Sequence, residues 1–119
     1  MSSIIGERID FTMPPGSVSA YTVSYIKQLE AGEVVEGFAE LTGETHSTDQ
    51  FANWEFEVFG PASERIQEWD GNIVTSQHHD FKFQATNAGN YTIKISHRSR
   101  NPKELHIEIS PAGWVPLGI

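Results

Sequence analysis

The chain of 119 residues contains no cysteine. Disulfides, cysteine-ligated zinc sites and thiol nucleophiles are therefore excluded together. Basic residues are also few, with 8 Lys and Arg against 16 Asp and Glu, which gives a net charge of −8. Because an acidic domain repels a phosphate backbone, we expect no nucleic-acid partner.

Long apolar runs are missing as well. No run reaches the roughly 18 residues that a membrane-spanning helix requires, so we expect no transmembrane segment in this chain. The start, Met1 to Gly6, lacks the basic residues and the long apolar core of a signal peptide. A chain of this length fits one domain, residues 1 to 119, and can bury well over half of its unfolded surface around one core.

The sequence is rich in segments where apolar and polar side chains alternate with a period of two. The clearest is W-E-F-E-V-F at Trp54–Phe59, and no segment predicts a helix that would be stable without tertiary support. The predicted strands are Glu7–Thr12, Val18–Lys27, Val34–Leu41, Trp54–Phe59, Glu64–Trp69, Asn72–Ser76, the two halves of Asp80–Ser96, and Glu104–Ser110. About eight short strands separated by turns predict an all-β fold, an antiparallel β-sandwich.

Two hairpins and one long loop are predicted between these strands. The segment Asp80–Ser96 predicts a hairpin closed by Asn87–Asn90, and Asp70–Gly71 predicts the turn of a second hairpin. The polar segment Thr42–Asn53 is long for a connection in a compact β domain. We expect this loop or a sheet edge to be the place where a partner binds.

Short motifs in the chain resemble those of a known family. In order they are Leu29-x-Ala31-Gly32-Glu33, Gly37, Phe56-x-Val58-x-Gly60-Pro61, Phe81-x-Phe83-x-Ala85 and Gly89-x-Tyr91-x-Ile93. They resemble the GOLD domain, the β-sandwich of the p24 (emp24/gp25L) cargo-receptor proteins and of stand-alone prokaryotic domains, over about residues 20 to 110. The chain departs from the eukaryotic members in lacking their cysteine pair, coiled coil and membrane anchor, so the stand-alone prokaryotic type is the nearer comparison.

This resemblance implies a GOLD-like or jelly-roll-like sandwich without a cofactor. It also implies a non-catalytic module that recognises a protein partner or contributes to assembly, in a parent protein associated with the cell envelope. A homo-oligomer is one form that such assembly takes.

Aromatic residues support an alternative function, a carbohydrate-binding module. Trp69 follows a predicted strand, Trp114 lies in the tail and Tyr21 lies in a strand with apolar residues on both faces. Exposed aromatic side chains favour binding surfaces, so these three are the candidate binding residues. Trp54 shares the phase of its apolar neighbours and is predicted to belong to the core.

Histidines support a third and weaker alternative, a small metal-dependent hydrolase. His78, His79 and Asp80 form the candidate ligand cluster. Adjacent strand residues point to opposite faces, so His78 and His79 are not expected to share one metal ion. His97 has the inward phase of its strand and His106 the outward phase of the last strand. We interpret the cluster, together with His97 and His106, as surface or strand-end histidines.

Glutamates spaced two apart on one strand, such as Glu55 and Glu57, lie roughly 7 Å apart, a separation that acid–base catalysis accepts. Lys82 and Lys94, however, occupy outward positions on strands that we expect to be neighbours. We therefore predict cross-strand ion pairs with these glutamates, each worth under about 1 kcal/mol, and no catalytic residues.

Overall fold

The computed structural model describes residues 6–16, 19–44, 47, 49 and 52–117. Within these residues the chain forms strands and no α-helix, which confirms the all-β prediction. The strands are β1 (Glu7–Met13), β2 (Tyr21–Leu29), β3 (Val34–Thr42), β4 (Asn53–Phe59), β5 (Arg65–Asn72), β6 (His78–Gln84), β7 (Gly89–His97), β8 (Lys103–Ser110) and β9 (Val115–Pro116). A helix of the length and apolar character needed to cross a bilayer is not found in this part of the chain.

The strands form two antiparallel sheets that pack face to face. One has four strands in the order β1-β8-β3-β6, and the other has five in the order β5-β4-β7-β2-β9. Strands that follow each other in sequence mostly lie in opposite sheets, and β4 and β5 form the one consecutive pair that stays together. Two interleaved Greek keys of this kind make a jelly roll, so the predicted antiparallel β-sandwich is confirmed.

The core lies between the sheets and is built from the inward positions of each strand. Burial alternates strictly along β4, where Trp54 is fully buried and lies in the core as predicted. The largest buried side chains are Trp54, Tyr91, Phe56, Met13, Leu29, Leu41, Ile73, Ile93, Ile95, Leu105 and Ile107. The predicted strand Val18–Lys27 lies later in the chain, at β2, and Val18 is outside the described residues.

The predicted Asp80–Ser96 hairpin is wrong in its pairing. β6 pairs with β3, whereas β7 pairs with β4 and β2, so the two strands lie in different sheets. The backbone of Ala85 exchanges hydrogen bonds with Glu33 and Gly32, which prolongs the β3–β6 pairing before the chain crosses to the other sheet. Alternation shows which side chains face the core, but a strand's pairing partner depends on the rest of the fold.

The predicted hairpin at Asp70–Gly71 is also wrong. β5 continues through Gly71, which lies opposite Trp54, and ends at Asn72. The turn follows, because the side-chain oxygen of Asn72 accepts hydrogen bonds from the backbone N–H groups of Val74 at 2.8 Å and Thr75 at 3.3 Å. A β-carbon at Gly71 would lie 2.6 Å from the Trp69 ring. The glycine therefore leaves room for the Trp69 ring within the strand and does not mark a turn.

The two predicted lysine partnerships fall in different sheets. Lys94 lies opposite Glu57 across β7 and β4, but the ion pair of Glu57 is formed with Arg65, at 3.1 Å, and not with Lys94 as predicted. Lys82 instead lies opposite Glu36 across β6 and β3, and its pairing with Glu55 or Glu57 is wrong because β6 belongs to the other sheet. Each lysine thus lies opposite a glutamate of a neighbouring strand. Because the chain crosses between the sheets after β6, the two lysines face glutamates of different strands.

Candidate functional site

The outer face of the four-stranded sheet carries the densest set of charged side chains on the described strands. Alternate residues of β1, β8, β3 and β6 point away from the core, as the burial patterns of these strands show. We call this surface the charged face, and its outward positions are Arg8, Asp10, Thr12, Glu104, His106, Glu108, Ser110, Val34, Glu36, Phe38, Glu40, Thr42, His78, Asp80, Lys82 and Gln84.

Acids and histidines alternate in one row across the charged face. The register places Asp10 opposite His106, His106 opposite Glu40, and Glu40 opposite His78. The row therefore crosses all four strands, and no single segment of the sequence contains it. Directly opposed residues on one face of an antiparallel sheet lie about 5 Å apart, which is close enough for each pair to interact.

Both histidines of this row contact carboxylates. His78 Nε2 lies 2.8 Å from Asp80 Oδ1, and His78 Nδ1 lies 3.2 Å from Glu40 Oε2. His106 Nδ1 contacts Asp10 and lies 3.3 Å from the Arg8 guanidinium. A protonated imidazole donates from both nitrogens, so His78 satisfies both carboxylates only in its charged form.

These contacts shift two pKa values. Hydrogen bonds to Asp80 and then to Glu40 raise the pKa of His78 above its usual range. The hydrogen bond from His106, followed by that from Arg8, lowers the pKa of Asp10. Both shifts favour the ionised form of the group, so the opposite charges in this row stabilise one another.

A groove of about 680 Å³ lies on the same face beside this row. Its lining includes Arg8, Glu36, Phe38, Asp80, Glu108 and Ser110. Phe38 is half-buried, lies opposite Asp80 on one side and Glu108 on the other, and stacks on the His78 ring at 4.9 Å. An aromatic ring flanked by carboxylates offers one apolar contact within a negatively charged surface.

Negative charge predominates on this face. Its carboxylates are Asp10, Glu36, Glu40, Asp80, Glu104 and Glu108, and its permanent cations are Arg8 and Lys82. A surface of this sign attracts cationic groups and repels anionic ones.

The predicted cluster of His78, His79 and Asp80 is divided between two faces. His78 and Asp80 lie on the charged face, whereas His79 points inward, where its ring stacks on Trp69 at 4.4 Å and lies tilted against Phe56 at 4.9 Å. Burial lowers the pKa of His79, which favours its neutral form. No group of three metal-ligating side chains with suitable geometry occurs among the described residues.

His97 and His106 face opposite ways, as predicted, but His97 is not at the surface. It is fully buried and accepts a hydrogen bond at Nδ1 from the Ser99 N–H, at 3.1 Å. Its Nε2 lies 2.8 Å from the Pro14 carbonyl and donates to it. His97 is the last residue of β7, so of the two predicted alternatives it is a strand-end histidine and not a surface one. A neutral imidazole with both nitrogens satisfied fits the core.

The aromatic candidates of the sequence do not form a shared platform. Trp69 lies half-buried in edge strand β5, with its ring edge-on to Trp54 at 4.9 Å. Tyr21 lies in β2, which two strands separate from β5, and stacks on Phe11 at 6.5 Å. Trp114 is only 4% exposed and donates its indole N–H to the Pro111 carbonyl, so its prediction as a free tail residue is wrong.

Sequence reasoning did not single out Phe38, which lines the groove. Its outward phase, shared with Glu36 and Glu40, is readable from alternation along β3. Its other neighbours, Asp80 and Glu108, come from strands far away in the sequence. Only the strand order brings these acids to Phe38. The sequence around Phe38 shows only one aromatic residue between two glutamates.

Comparisons with known proteins address the fold. No protein-family model matches the sequence, and no curated protein matches it either. The structure is similar to that of the Yersinia pseudotuberculosis-derived mitogen, with a TM-score of 0.52 and 15% identity over 88% of this chain and 86% of that chain. It is also similar to a chain of the naturally empty particles of cowpea mosaic virus, with a TM-score of 0.50 and 7% identity over 100% of this chain and 95% of that chain. At these identities the likeness shows the β-sandwich fold alone.

Proposed function

We propose that this protein is a non-catalytic interaction module that recognises a protein partner through the charged face. The observation that carries the proposal is the position of Phe38, an aromatic ring flanked by Asp80 and Glu108 in a groove of about 680 Å³. An apolar anchor surrounded by charged groups is the arrangement that protein interfaces use for affinity and orientation. Two copies of the face would oppose like charges, so the partner is a different protein.

The family resemblance supports the same class of function. The motif residues around Gly32 lie in the turn between β2 and β3, where Gly32 has a φ of 93°. A stand-alone GOLD-like domain with an envelope-associated parent is thus part of the proposal, carried by those motifs. The p24 members of that family are cargo receptors, and binding a protein is their shared role.

A photo-crosslinking residue in place of Phe38 tests the proposal in extracts of the source organism. We expect one protein to crosslink at this position and to be lost when Glu36 and Glu108 are changed to glutamine. The control places the same crosslinker at Thr92, which lies in the outward phase of β7 on the opposite sheet. Equal capture at both positions would show that the charged face is not the binding site.

Carbohydrate binding is the second candidate, because an aromatic ring beside carboxylates also suits a sugar ring. A glycan array separates the two candidates. We expect no saturable glycan binding by the wild type. Glycan binding that Phe38→Ala abolishes would replace the protein-partner proposal with a carbohydrate-binding module on the same face.

A further inference from the structure

The two histidines of the charged face lie between the acids that give the face its sign. His78 lies on edge strand β6, where Asp80 of its own strand and Glu40 of β3 contact it. The Phe38 ring of the groove stacks on the same imidazole at 4.9 Å. A change in the charge of His78 therefore occurs in direct contact with both the acids and the aromatic floor of the groove.

His106 lies on β8, with strands on both sides. From β1 it faces Asp10 and Arg8, and from β3 it faces Glu40. Its neighbours along β8 in the same phase are Glu104 and Glu108. Glu40 is thus shared between the two histidines, so their charges act on one continuous set of carboxylates.

We propose that the charged face binds a lysine- or arginine-bearing segment of the partner and releases it when His78 becomes protonated. This inference rests on the proposed function and names the chemistry and the regulation of the same site.

The choice of a cationic segment follows from charge complementarity. Six carboxylates face outward on these four strands, against the two permanent cations Arg8 and Lys82. These permanent charges give the face a net charge of four negative units, and a proton on His78 reduces it to three. The aliphatic stem of a lysine or arginine packs on an aromatic ring such as Phe38 while its head reaches a carboxylate.

Protonation also takes carboxylates away from the ligand. A charged His78 donates hydrogen bonds to Asp80 and Glu40 at the same time, and these oxygens are then engaged within the face. The same two acids raise the pKa of His78, so it gains its proton at a pH above the ordinary value of about 6.5. Affinity for a cationic segment should therefore rise as the pH rises through this range.

Fluorescence anisotropy with a labelled oligolysine of about ten residues tests the proposal on the intact protein. The lysines stay charged at both about pH 5.5 and about pH 8.5, since their pKa lies near 10.4. At roughly 0.15 M salt we expect binding to be about tenfold tighter at the higher pH. We expect an oligoglutamate of the same length not to bind at either pH.

Two double variants with equal net charge separate the site from general attraction to an acidic protein. Glu36→Gln with Glu108→Gln acts on the charged face, where Glu108 lies 3.6 Å from Arg8. Glu55→Gln with Glu68→Gln acts on the outer face of the five-stranded sheet, where Glu68 lies 3.0 Å from Arg65. We expect the first to weaken oligolysine binding about tenfold and the second about twofold or less. Equal losses would overturn the proposed site.

The role of His78 is tested by His78→Gln with His106→Gln, a double variant that leaves no histidine on the described part of the charged face. We expect this variant to bind oligolysine equally well at both pH values, because the remaining described histidines, His79 and His97, point into the core. A pH dependence that survives in this variant would overturn the role of His78. The wild-type titration tests the same point without a substitution, since affinity that is flat or falls with rising pH contradicts it.

Failure of this inference and failure of the proposed function give different results. If a partner crosslinks at position 38 but oligolysine binding does not depend on Glu36 and Glu108, the module binds a partner of other chemistry. If neither a partner nor oligolysine reaches the charged face, the proposed function fails with it.

Discussion

The ammonium group of Lys103 lies 3.0 Å from a carboxylate oxygen of Asp49, and both side chains are almost fully buried, at 2% and 1% exposure. Ser99 Oγ donates to the other Asp49 oxygen at 2.6 Å, and Lys103 also donates to the Glu44 carbonyl at 2.8 Å. The described part of the Thr42–Asn53 loop is thus fastened to the start of β8. Asp49 turns inward, so at this residue the loop is a structural element rather than the binding surface that its polarity predicts.

Removing one partner of this buried ion pair should be costly. We expect Lys103→Met to lower the free energy of unfolding by about 3–5 kcal/mol, because Asp49 would keep a buried charge without its cation. Urea denaturation measures the loss. Lys82→Met, at an exposed position, is the matched control and should change stability by about 0.5 kcal/mol or less.

A double variant distinguishes the lost ion pair from lost packing. Lys103→Met with Asp49→Leu leaves no unpaired charge and should recover much of the stability lost by Lys103→Met alone. If the single and double variants were equally unstable, packing of the lysine stem would explain the effect instead.

Buried His97 should make stability depend on pH. Burial lowers its pKa, so the unfolded chain binds a proton more readily below about pH 6.5. The contribution of His97 is therefore complete above this pH and is lost as the pH falls, by at most about 1.4 kcal/mol per pH unit. We expect the wild type to lose stability relative to His97→Gln between about pH 7.5 and 5.5, as urea denaturation at each pH would show.

His78→Gln is the control, because the pH dependence of stability that His78 contributes has the opposite sign to that of His97. The pKa of His78 is raised, so its favourable contribution is present at low pH and disappears as the pH rises through the raised value. Relative to this variant, the wild type should gain stability on acidification. Parallel pH profiles for the wild type and His97→Gln would contradict the role assigned to His97.

Gly37 should not accept a larger residue. A β-carbon at this position would lie 1.9 Å from the Glu108 carbonyl oxygen, within the β3–β8 pairing. We expect Gly37→Ala to cost about 2–3 kcal/mol, since backbone rather than a flexible side chain must move. Val34→Ile adds one carbon at an exposed position of the same strand, and a comparable loss there would show that the close approach is unimportant.

Glu7 should hold the segment of Gly113 and Trp114 against the sandwich. Its Oε1 accepts hydrogen bonds from the backbone N–H groups of Gly113 at 2.8 Å and Trp114 at 2.7 Å. We expect Glu7→Ala to cost about 1–2 kcal/mol and to red-shift the fluorescence of Trp114 as the indole becomes hydrated. Glu33→Ala removes a hydrogen bond to Glu30 within a turn. It should leave the emission unchanged, and an equal shift would contradict the assignment.

Alternation alone identified most of the strands and their inward faces. Inward phase correctly assigned Trp54 and the apolar positions of β7 and β8 to the core, because a strand reverses the direction of its side chains at every residue. The same rule separated His78 from His79. For the candidate site, the rule puts Phe38 on the same face as Glu36 and Glu40 of its own strand, but it cannot supply the acids opposite Phe38.

The sequence by itself determined that this chain forms short strands with one apolar side, without disulfides, and with an excess of acid, since these properties reside in composition and local period. Only the tertiary structure decided that β6 and β7 lie in different sheets. It also decided that the row from Asp10 to His78 crosses four strands, and that Asp49 meets Lys103 inside the protein. The physical reason is that pairing between distant strands depends on how two whole sheets pack, which no local pattern records.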